Sequence, residues 1–349
     1  MKKIIKKNIN KIKASATLAI NERSKELSKT GKKIYNFGFG QSPFPIPELV
    51  VNVLKDNAHK KDYLPIQGLK ELRTAISKNL LKKTGVNYSA ENILITPGSK
   101  EAMLLMHVVF NGEILLPAPS WVSYEPQAFI AQNKVHWIQT SRENNWFPTA
   151  NELNKKISKI KNKQLILIIN SPNNPSGTIC KNLMEIAQVA KKNKILILSD
   201  EIYTDLSFTK KYKSISNYYP DGTFISGGLS KWCGAGGWRL GFFAVPDNLS
   251  FFMDKLKTLA SESYSTVNSP VQYAAVKAYT DDLTEYKNNV INILEYVGNY
   301  VYQNLKSNKI IINPPQGGFY LMPEFLNKRF KTSSQMCEKI LMDTGVALL

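Results

Sequence analysis

A lysine in a glycine-rich turn is the feature of this sequence that most directly suggests chemistry. Lys231 lies in the stretch Ser226-Gly-Gly-Leu-Ser-Lys-Trp-Cys-Gly-Ala-Gly-Gly-Trp-Arg239, which begins with the end of a short apolar run. A lysine packed against backbone loses hydration, which lowers its pKa and leaves a neutral amine able to form a Schiff base with a carbonyl compound. Arg239 follows eight residues later, and its planar guanidinium suits a phosphate group. Taken alone, however, such a pattern more often marks a surface lysine in a flexible loop.

Two further polar motifs follow apolar runs. Asn170-Ser-Pro-Asn-Asn174 follows one run, and Asp200-Glu-Ile-Tyr203 follows another. If both runs are parallel strands, these motifs meet at the carboxyl edge of one sheet. A carboxylate there can pair with a pyridinium nitrogen, and an amide and a phenol can hydrogen-bond a phenolate oxygen, which are the contacts that a pyridoxal phosphate site requires. Each motif alone is more often a turn or a helix cap, but together with Lys231 they indicate such a site.

The elements that must position these residues are short apolar strands alternating with helices. Continuous apolar strands separated by helices predict an α/β fold with a parallel sheet covered on both faces. A long helix is predicted over 283–305, and a smaller second region follows it, with a helix near 334–342 and the start of a strand at 345–349. The predicted strands lie at 93–95, 114–116, 165–169, 195–198 and 224–225, and the earlier helices include 49–54, 69–80 and one beginning at Ser99.

Composition excludes several classes of protein. The chain has 349 residues, of which 43% are hydrophobic and 21% charged, as in globular proteins, and its longest apolar runs are far shorter than a membrane span. The net charge of +19 does not predict a nucleic-acid partner, because the lysines are dispersed and only five of the 46 basic residues are arginines. Three scattered cysteines and three histidines disfavour a disulfide framework or a metal site. The basic start lacks a following apolar segment, which predicts a cytoplasmic protein.

The sequence resembles the class I/II aminotransferases of pyridoxal-phosphate fold type I over essentially its whole length. This resemblance implies an α/β fold: a large cofactor-binding domain over 46–284, with a mainly parallel sheet flanked by helices, and a smaller α+β domain formed by an N-terminal arm, 1–45, together with 285–349. The motifs that carry it, besides those already quoted, are Ser15-Ala-Thr-Leu-Ala-Ile20, Gly40-Gln-Ser-Pro-Phe44, Tyr63-Leu-Pro-Ile-Gln-Gly68, Thr96-Pro-Gly-Ser-Lys-Glu101, Pro119-Ser-Trp-Val-Ser-Tyr124 and Gln316-Gly-Gly-Phe-Tyr320.

The resemblance also implies a role for each site residue. Lys231 would bind pyridoxal 5'-phosphate as a Schiff base and shuttle a proton, and Asp200 would keep the ring nitrogen protonated. Tyr203 and Asn174 would bond the phenolic oxygen, and Trp121 would stack on the ring. The implied contacts with the phosphate come from Gly98, Ser99, Lys100, Ser230 and Arg239. In a homodimer with shared active sites, Tyr63 of the partner subunit would also contact the phosphate. Gly40 and Asn174 would contact the substrate.

Several positions depart from the family pattern. Gly228 stands where many relatives have a phosphate-binding serine, for which Ser226 or Ser230 could substitute, and Ser176 replaces the usual threonine. The family continues a few tens of residues beyond the segment that matches 345–349, and this continuation carries the arginine that binds the substrate α-carboxylate. We therefore expect the chain to be C-terminally incomplete, with an exposed apolar end at 346–349.

The leading functional hypothesis is an aminotransferase that moves the amino group of an L-amino acid to a 2-oxo acid by a ping-pong mechanism. A carbon–sulfur β-lyase is an alternative, because the same site residues serve both reactions, and an inactive truncated chain is another. A cofactor-binding sensor fused to a DNA-binding module is disfavoured, since the family match already begins near Ser15. The substrate stays open, although the absence of arginine over 264–268 weakly disfavours one type of aspartate-specific enzyme.

Overall fold

The computed structural model describes residues 4–12, 16–38, 40–161, 164–209, 212–326 and 329–349. Ser15, which opens the first family motif, lies outside this set. Within it the strands are β1 (Tyr35–Asn36), β2 (Ile93–Thr96), β3 (Glu113–Ala118), β4 (Val135–Gln139), β5 (Leu165–Asn170), β6 (Leu196–Asp200), β7 (Thr223–Gly228), β8 (Gly241–Ala244), β9 (Ile310–Ile311), β10 (Glu324–Phe325) and β11 (Val346–Ala347). The α-helices are α1 (Ala16–Lys29), α2 (Glu48–Asp56), α3 (Lys70–Thr84), α4 (Ser99–Val109), α5 (Tyr124–Ile130), α6 (Ala150–Ile157), α7 (Leu183–Lys192), α8 (Phe251–Ser263), α9 (Ser269–Thr280), α10 (Thr284–Leu305) and α11 (Ser333–Thr344).

A seven-stranded sheet forms the centre of the molecule, in the order β2-β8-β7-β6-β5-β3-β4. Every neighbouring pair from β7 to β4 is parallel, and β8 runs antiparallel to both β7 and β2. The mainly parallel sheet predicted from the sequence is therefore confirmed. Each predicted strand is present, whereas β4 and β8 were not predicted.

Helices cover both faces of this sheet, which explains why its strands are apolar throughout. All residues of β5 and β7 are buried. Along β2, Ile93 and Ile95 contribute to the hydrophobic core on one face, and Leu94 contributes to the core on the other. Successive side chains of a strand point to opposite faces, so a strand between two layers of helices must be apolar at every position.

Two small sheets lie outside the central one. The strand β1 pairs in parallel with β11, and β9 pairs antiparallel with β10. The strand expected to start near Gly345 is thus confirmed, but the expectation of an exposed apolar end is wrong, because Ala347 is fully buried and only Leu349 is exposed. A turn at 318–319 lies beside the loop after β6, where Gly317 forms an isolated bridge with Ser207.

Among the residues that the structure describes, no helix has both the length and the apolar composition needed to cross a membrane. The three cysteines, Cys180, Cys233 and Cys337, are free thiols, and all three are buried. Burial raises the pKa of each thiol above its ordinary value, so these side chains act as small apolar groups in the core.

A partly buried ion-pair cluster joins α3 and α10 to the loop after β6. The carboxylate of Asp205 lies 2.5 Å from the ammonium of Lys83 and 3.1 Å from that of Lys287. The Lys287 ammonium also lies 4.1 Å from the centroid of the Trp232 ring. Although burial favours the neutral carboxyl, the two ammonium groups lower the pKa of Asp205 to about 2.

We expect Asp205→Asn to lower the free energy of unfolding at pH 7 by about 2 kcal/mol, because the carboxylate is stabilised relative to the unfolded chain. Since the folded pKa lies below the ordinary value of 3.8, this contribution is present above about pH 4 and is lost as the pH falls towards 2. Urea unfolding of both proteins at a series of pH values measures it. The matched control is Asp254→Asn, whose exposed pair with Lys257 should contribute little. A difference between wild type and Asp205→Asn that stays constant down to pH 2.5 would contradict this assignment.

Candidate active site

The polar residues singled out by the sequence meet at one edge of the central sheet. In the strand register, Asn170 at the end of β5 pairs with Asp200 at the end of β6, which in turn pairs with Ser226 near the end of β7. The side-chain amide of Asn170 donates a hydrogen bond of 2.9 Å to the backbone carbonyl of Asp200. The antiparallel strand β8 starts at the same edge, where Gly241 pairs with both Gly228 and Thr96.

Lys231 lies just beyond the end of β7 with its amine facing polar backbone and aromatic rings. Its Nζ donates a hydrogen bond of 2.6 Å to the carbonyl of Gly40 and lies 5.7 Å from the ring centroids of both Tyr203 and Phe319. Burial lowers the pKa of the Lys231 amine to about 8, and the nearby Arg239 and Lys100 act in the same direction against the attraction of Asp200. A substantial fraction of the amine is therefore neutral near pH 8, as a nucleophile or general base requires.

Asp200 is a buried carboxylate held from two sides. The phenol of Tyr124 donates a hydrogen bond of 2.7 Å to Oδ2, and the backbone N–H of Ile202 donates one of 3.3 Å to Oδ1. Burial raises the pKa of Asp200 to about 6, and these two donors, together with the charge of Lys231, oppose that rise. The group is thus mainly ionised at pH 7 and can pair with a cation in a site from which water is excluded.

A second cluster surrounds the phenol of Tyr203, which is buried. Its oxygen lies 3.4 Å from the side-chain amide nitrogen of Asn174 and 2.9 Å from the phenol oxygen of Tyr320. The backbone N–H of Asn174 donates a 2.7 Å bond to the side chain of Asn170, which fixes the loop that carries it. The cluster therefore offers an amide donor and a phenol donor side by side.

The opposite side of the site is built to receive an anion. Helix α4 begins at Ser99, and its N-cap is Gly98, with a φ of 81°. The Arg239 guanidinium passes directly over this glycine: a Cβ atom there would lie 2.3 Å from Nη2. A Cβ atom on Gly241 would lie 2.3 Å from the backbone nitrogen of Ser99. Without side chains, these glycines let the guanidinium and the start of β8 pack against the first turn of α4. A helix N-terminus beside an arginine is a favourable place for an anion.

Comparison with known proteins shows the family of this chain. The family model described as aminotransferase class I and II matches residues 32–349. The chain belongs to this aminotransferase family. It is therefore a transferase, and the site at the carboxyl edge of the sheet lies in the part of the chain that the family model covers.

Its relatives include aminotransferases of different named specificity. The chain is 30% identical over 370 residues to an aspartate aminotransferase of Bacillus sp. strain YM-2, covering 100% of this chain and 91% of that protein. It is 29% identical to the aspartate aminotransferase of Thermotoga maritima, covering 99% and 90%. Among solved structures, an alanine aminotransferase from Pyrococcus furiosus superposes with a TM-score of 0.90 at 26% identity, covering 98% of this chain and 90% of that one.

Most of the predicted site residues are brought together in this aminotransferase. The ammonium of Lys100 lies 4.9 Å from the centroid of the Trp121 ring, and burial lowers its pKa, with Arg239 acting in the same direction. Gly40 reaches the site through its carbonyl. Tyr63, in contrast, lies in the loop before α3 with its side chain 89% exposed. Ser226, suggested as a replacement phosphate ligand, is buried within β7, and its hydroxyl has no hydrogen-bond partner among the described residues.

Three residues at the site were missed as functional candidates by sequence reasoning. Tyr124 and Tyr320 each occur in a quoted family motif, but nothing in the sequence shows that their phenols bond Asp200 and Tyr203. Asn170 was likewise quoted only as the start of a motif. The available signal was their position, since each stands at the start or the end of a quoted motif. Their contacts depend on the packing of distant segments, which sequence spacing does not contain.

Proposed function

We propose that this aminotransferase binds pyridoxal 5'-phosphate covalently through Lys231 and moves an amino group from an L-amino acid to a 2-oxo acid by a ping-pong mechanism. The observation that carries the proposal is the convergence of a lysine of lowered pKa, just after β7, with a buried carboxylate of raised pKa at the end of the adjacent parallel strand β6. Perturbed ionisable groups that converge in this way are typical of catalytic sites.

The donor groups fit this cofactor. The N-terminus of α4 and the Arg239 guanidinium suit a phosphate, because backbone N–H groups and a fixed positive charge lie side by side there. Asp200 suits a protonated ring nitrogen, since it is a buried carboxylate that is mainly ionised at pH 7 and that attracts the positive charge of Lys231. Asn174 and Tyr203 suit the phenolic oxygen, because both can donate a hydrogen bond.

When bound, the cofactor supplies an electron sink for the carbanion formed at the substrate α-carbon. The residues of this chain would serve that chemistry by holding charge and moving protons. Asp200, fixed by Tyr124, would hold a proton on the ring nitrogen. Tyr203 and Asn174 would stabilise negative charge on the phenolic oxygen. The Lys231 amine, which is partly neutral near pH 8, would take the proton from the α-carbon of the amino donor. In the second half-reaction it would return a proton to the α-carbon of the newly formed amino acid.

We infer that the amino donor is an L-amino acid and take aspartate as the first to be tested, because the Bacillus and Thermotoga relatives are named aspartate aminotransferases. The purified chain with added cofactor should convert L-aspartate and 2-oxoglutarate to the exchanged pair, and alanine and phenylalanine serve as competing donors. Release of pyruvate and ammonia from a cysteine conjugate, without amino transfer to any 2-oxo acid, would favour the lyase alternative and overturn the proposal.

We further propose a homodimer in which Tyr63 of the partner subunit contacts the cofactor phosphate. The nearly complete exposure of this aromatic side chain in a single chain supports the idea. Sedimentation should give a dimer, and Tyr63→Phe should weaken cofactor binding several-fold through the loss of one hydrogen bond. A monomer with full cofactor affinity would contradict it.

A division into a large domain over 46–284 and a small domain formed by 1–45 with 285–349 is also proposed. It is supported by the β1–β11 pair, in which Tyr35 and Asn36 of the N-terminal segment join Val346 and Ala347 near the end of the small region. The seven strands of the central sheet all fall within 46–284.

A further inference from the structure

Tyr320 lies against the phenol that faces the proposed cofactor site, and sequence reasoning gave it no role. Its hydroxyl lies 2.9 Å from that of Tyr203, and the two rings meet edge to face with centroids 5.5 Å apart. The same hydroxyl faces Gly40, where a Cβ atom would lie 2.0 Å from it. Tyr320 therefore contacts both Tyr203 and Gly40, whose carbonyl accepts a hydrogen bond from the Lys231 amine.

The position of Tyr320 is fixed by the turn that precedes it. The backbone N–H of Gln316 donates a 2.8 Å bond to the carbonyl of Gly177, and its side-chain oxygen accepts one of 2.8 Å from the N–H of Ile179. The N–H of Gly318 donates a 2.9 Å bond to the carbonyl of Leu206. This turn is thus attached to the loops after β5 and β6, so Tyr320 has little freedom to move independently of Tyr203.

The number of available protons limits the hydrogen bonds that the phenols of Tyr203 and Tyr320 can make. Burial raises the pKa of Tyr203 well above its ordinary value and that of Tyr320 to about 12, so both phenols keep their protons at neutral pH. One bond joins the two oxygens, so it uses one of the two protons. The Asn174 amide, at 3.4 Å, can only donate towards Tyr203. If Tyr320 also donates, the Tyr203 oxygen accepts twice and its own proton is free for a third group.

We propose that Tyr320 is a positioning residue that donates a hydrogen bond to Tyr203, so that the Tyr203 proton is directed at the phenolic oxygen of the bound cofactor. The inference rests on the proposed function, because it concerns the same cofactor. A phenol that accepts hydrogen bonds becomes a better donor, since the accepted bonds stabilise the negative charge that develops on its oxygen. Tyr320 would thereby strengthen the hydrogen bond from Tyr203 to the cofactor without contacting the cofactor itself.

The test is a pH titration of the absorption spectrum of the cofactor-loaded protein, in wild type, Tyr320→Phe, Tyr203→Phe and the double variant. A donor to the phenolate oxygen favours the deprotonated chromophore, so each substitution should raise the pH at which the spectrum changes. We expect a rise of about half a unit to one unit for Tyr320→Phe and a larger rise for Tyr203→Phe. The double variant should match Tyr203→Phe within a few tenths of a unit, because Tyr320 acts through Tyr203.

A matched control removes another buried phenol without touching the site. Tyr88 is fully buried and donates a 2.8 Å bond to the carbonyl of Thr223, at the other end of β7 from Lys231. Tyr88→Phe should leave the spectral transition in place. An unchanged transition in Tyr320→Phe, or shifts that simply add in the double variant, would overturn the inference. A wild-type protein with no cofactor spectrum would instead overturn the proposed function itself.

Discussion

Lys231→Ala should reduce amino transfer by about 10⁴-fold or more, because it removes both the covalent attachment point and the base that moves the α-proton. The loss should appear in kcat, since a neutral methyl group cannot take a proton at any pH. The rest of the site should remain folded, because within the described part of the chain the Lys231 side chain makes one hydrogen bond, to the carbonyl of Gly40, and Asp200 keeps its bonds from Tyr124 and Ile202. Single-turnover and steady-state rates, with saturating cofactor, measure the effect.

The control for this variant is Lys277→Ala, which removes a lysine that pairs with Asp281 on the exposed side of α9. It should retain full activity, and both variants should show the same circular dichroism as wild type. Transfer by Lys231→Ala at more than about one hundredth of the wild-type rate would require another base, and the account of the site would then be wrong.

Asp200→Asn should keep the cofactor bound but lower kcat/KM by about 10³-fold, which corresponds to roughly 4 kcal/mol of transition-state stabilisation. The asparagine side chain fits the same space, and its oxygen can still accept the 2.7 Å bond from Tyr124. The neutral amide carries no negative charge to hold a proton on the ring nitrogen, so it would favour the unprotonated nitrogen, which is a poorer electron sink. Absorption spectra establish that cofactor is present before the rates are compared.

Glu201→Gln is the matched control for Asp200→Asn. Glu201 is the next residue, its carboxylate is also buried, and it accepts hydrogen bonds from the hydroxyls of Ser199 and Ser214. Its substitution therefore tests whether loss of any buried charge at this edge has the same effect. We expect less than a tenfold change for Glu201→Gln. Equal losses in the two variants would show that the ring is not tuned specifically through Asp200.

Much of the fold could be predicted from the sequence because a strand buried on both faces is apolar at every position. The apolar runs at β5 and β6 are continuous, and each ends in a polar motif, which predicts both a parallel sheet and polar groups at its carboxyl edge. The long helix predicted over 283–305 is α10, Thr284–Leu305, because its apolar positions recur at helical spacing.

The unpredicted parts depend on contacts between segments distant in the chain. The strand β8 follows a turn rich in glycine, and only its pairing with β2 and β7 distinguishes Gly241–Ala244 from a short apolar loop. The bond from Tyr124 to Asp200 joins residues 76 positions apart, and that between Tyr203 and Tyr320 joins residues 117 apart. Spacing within a motif predicts which residues share an edge, but it does not predict which phenol meets which acceptor.

Covalent labelling tests the central claim most directly. The cofactor-loaded protein is reduced with borohydride, which makes the bond between lysine and cofactor permanent, and is then digested and mapped by mass spectrometry. The account predicts a single pyridoxyl group on Lys231, in the turn just after β7. A sample treated with borohydride before the cofactor is added should carry no label. A label on Lys100, the other lysine at this site whose pKa is lowered by burial, or no stable label at all, would contradict it.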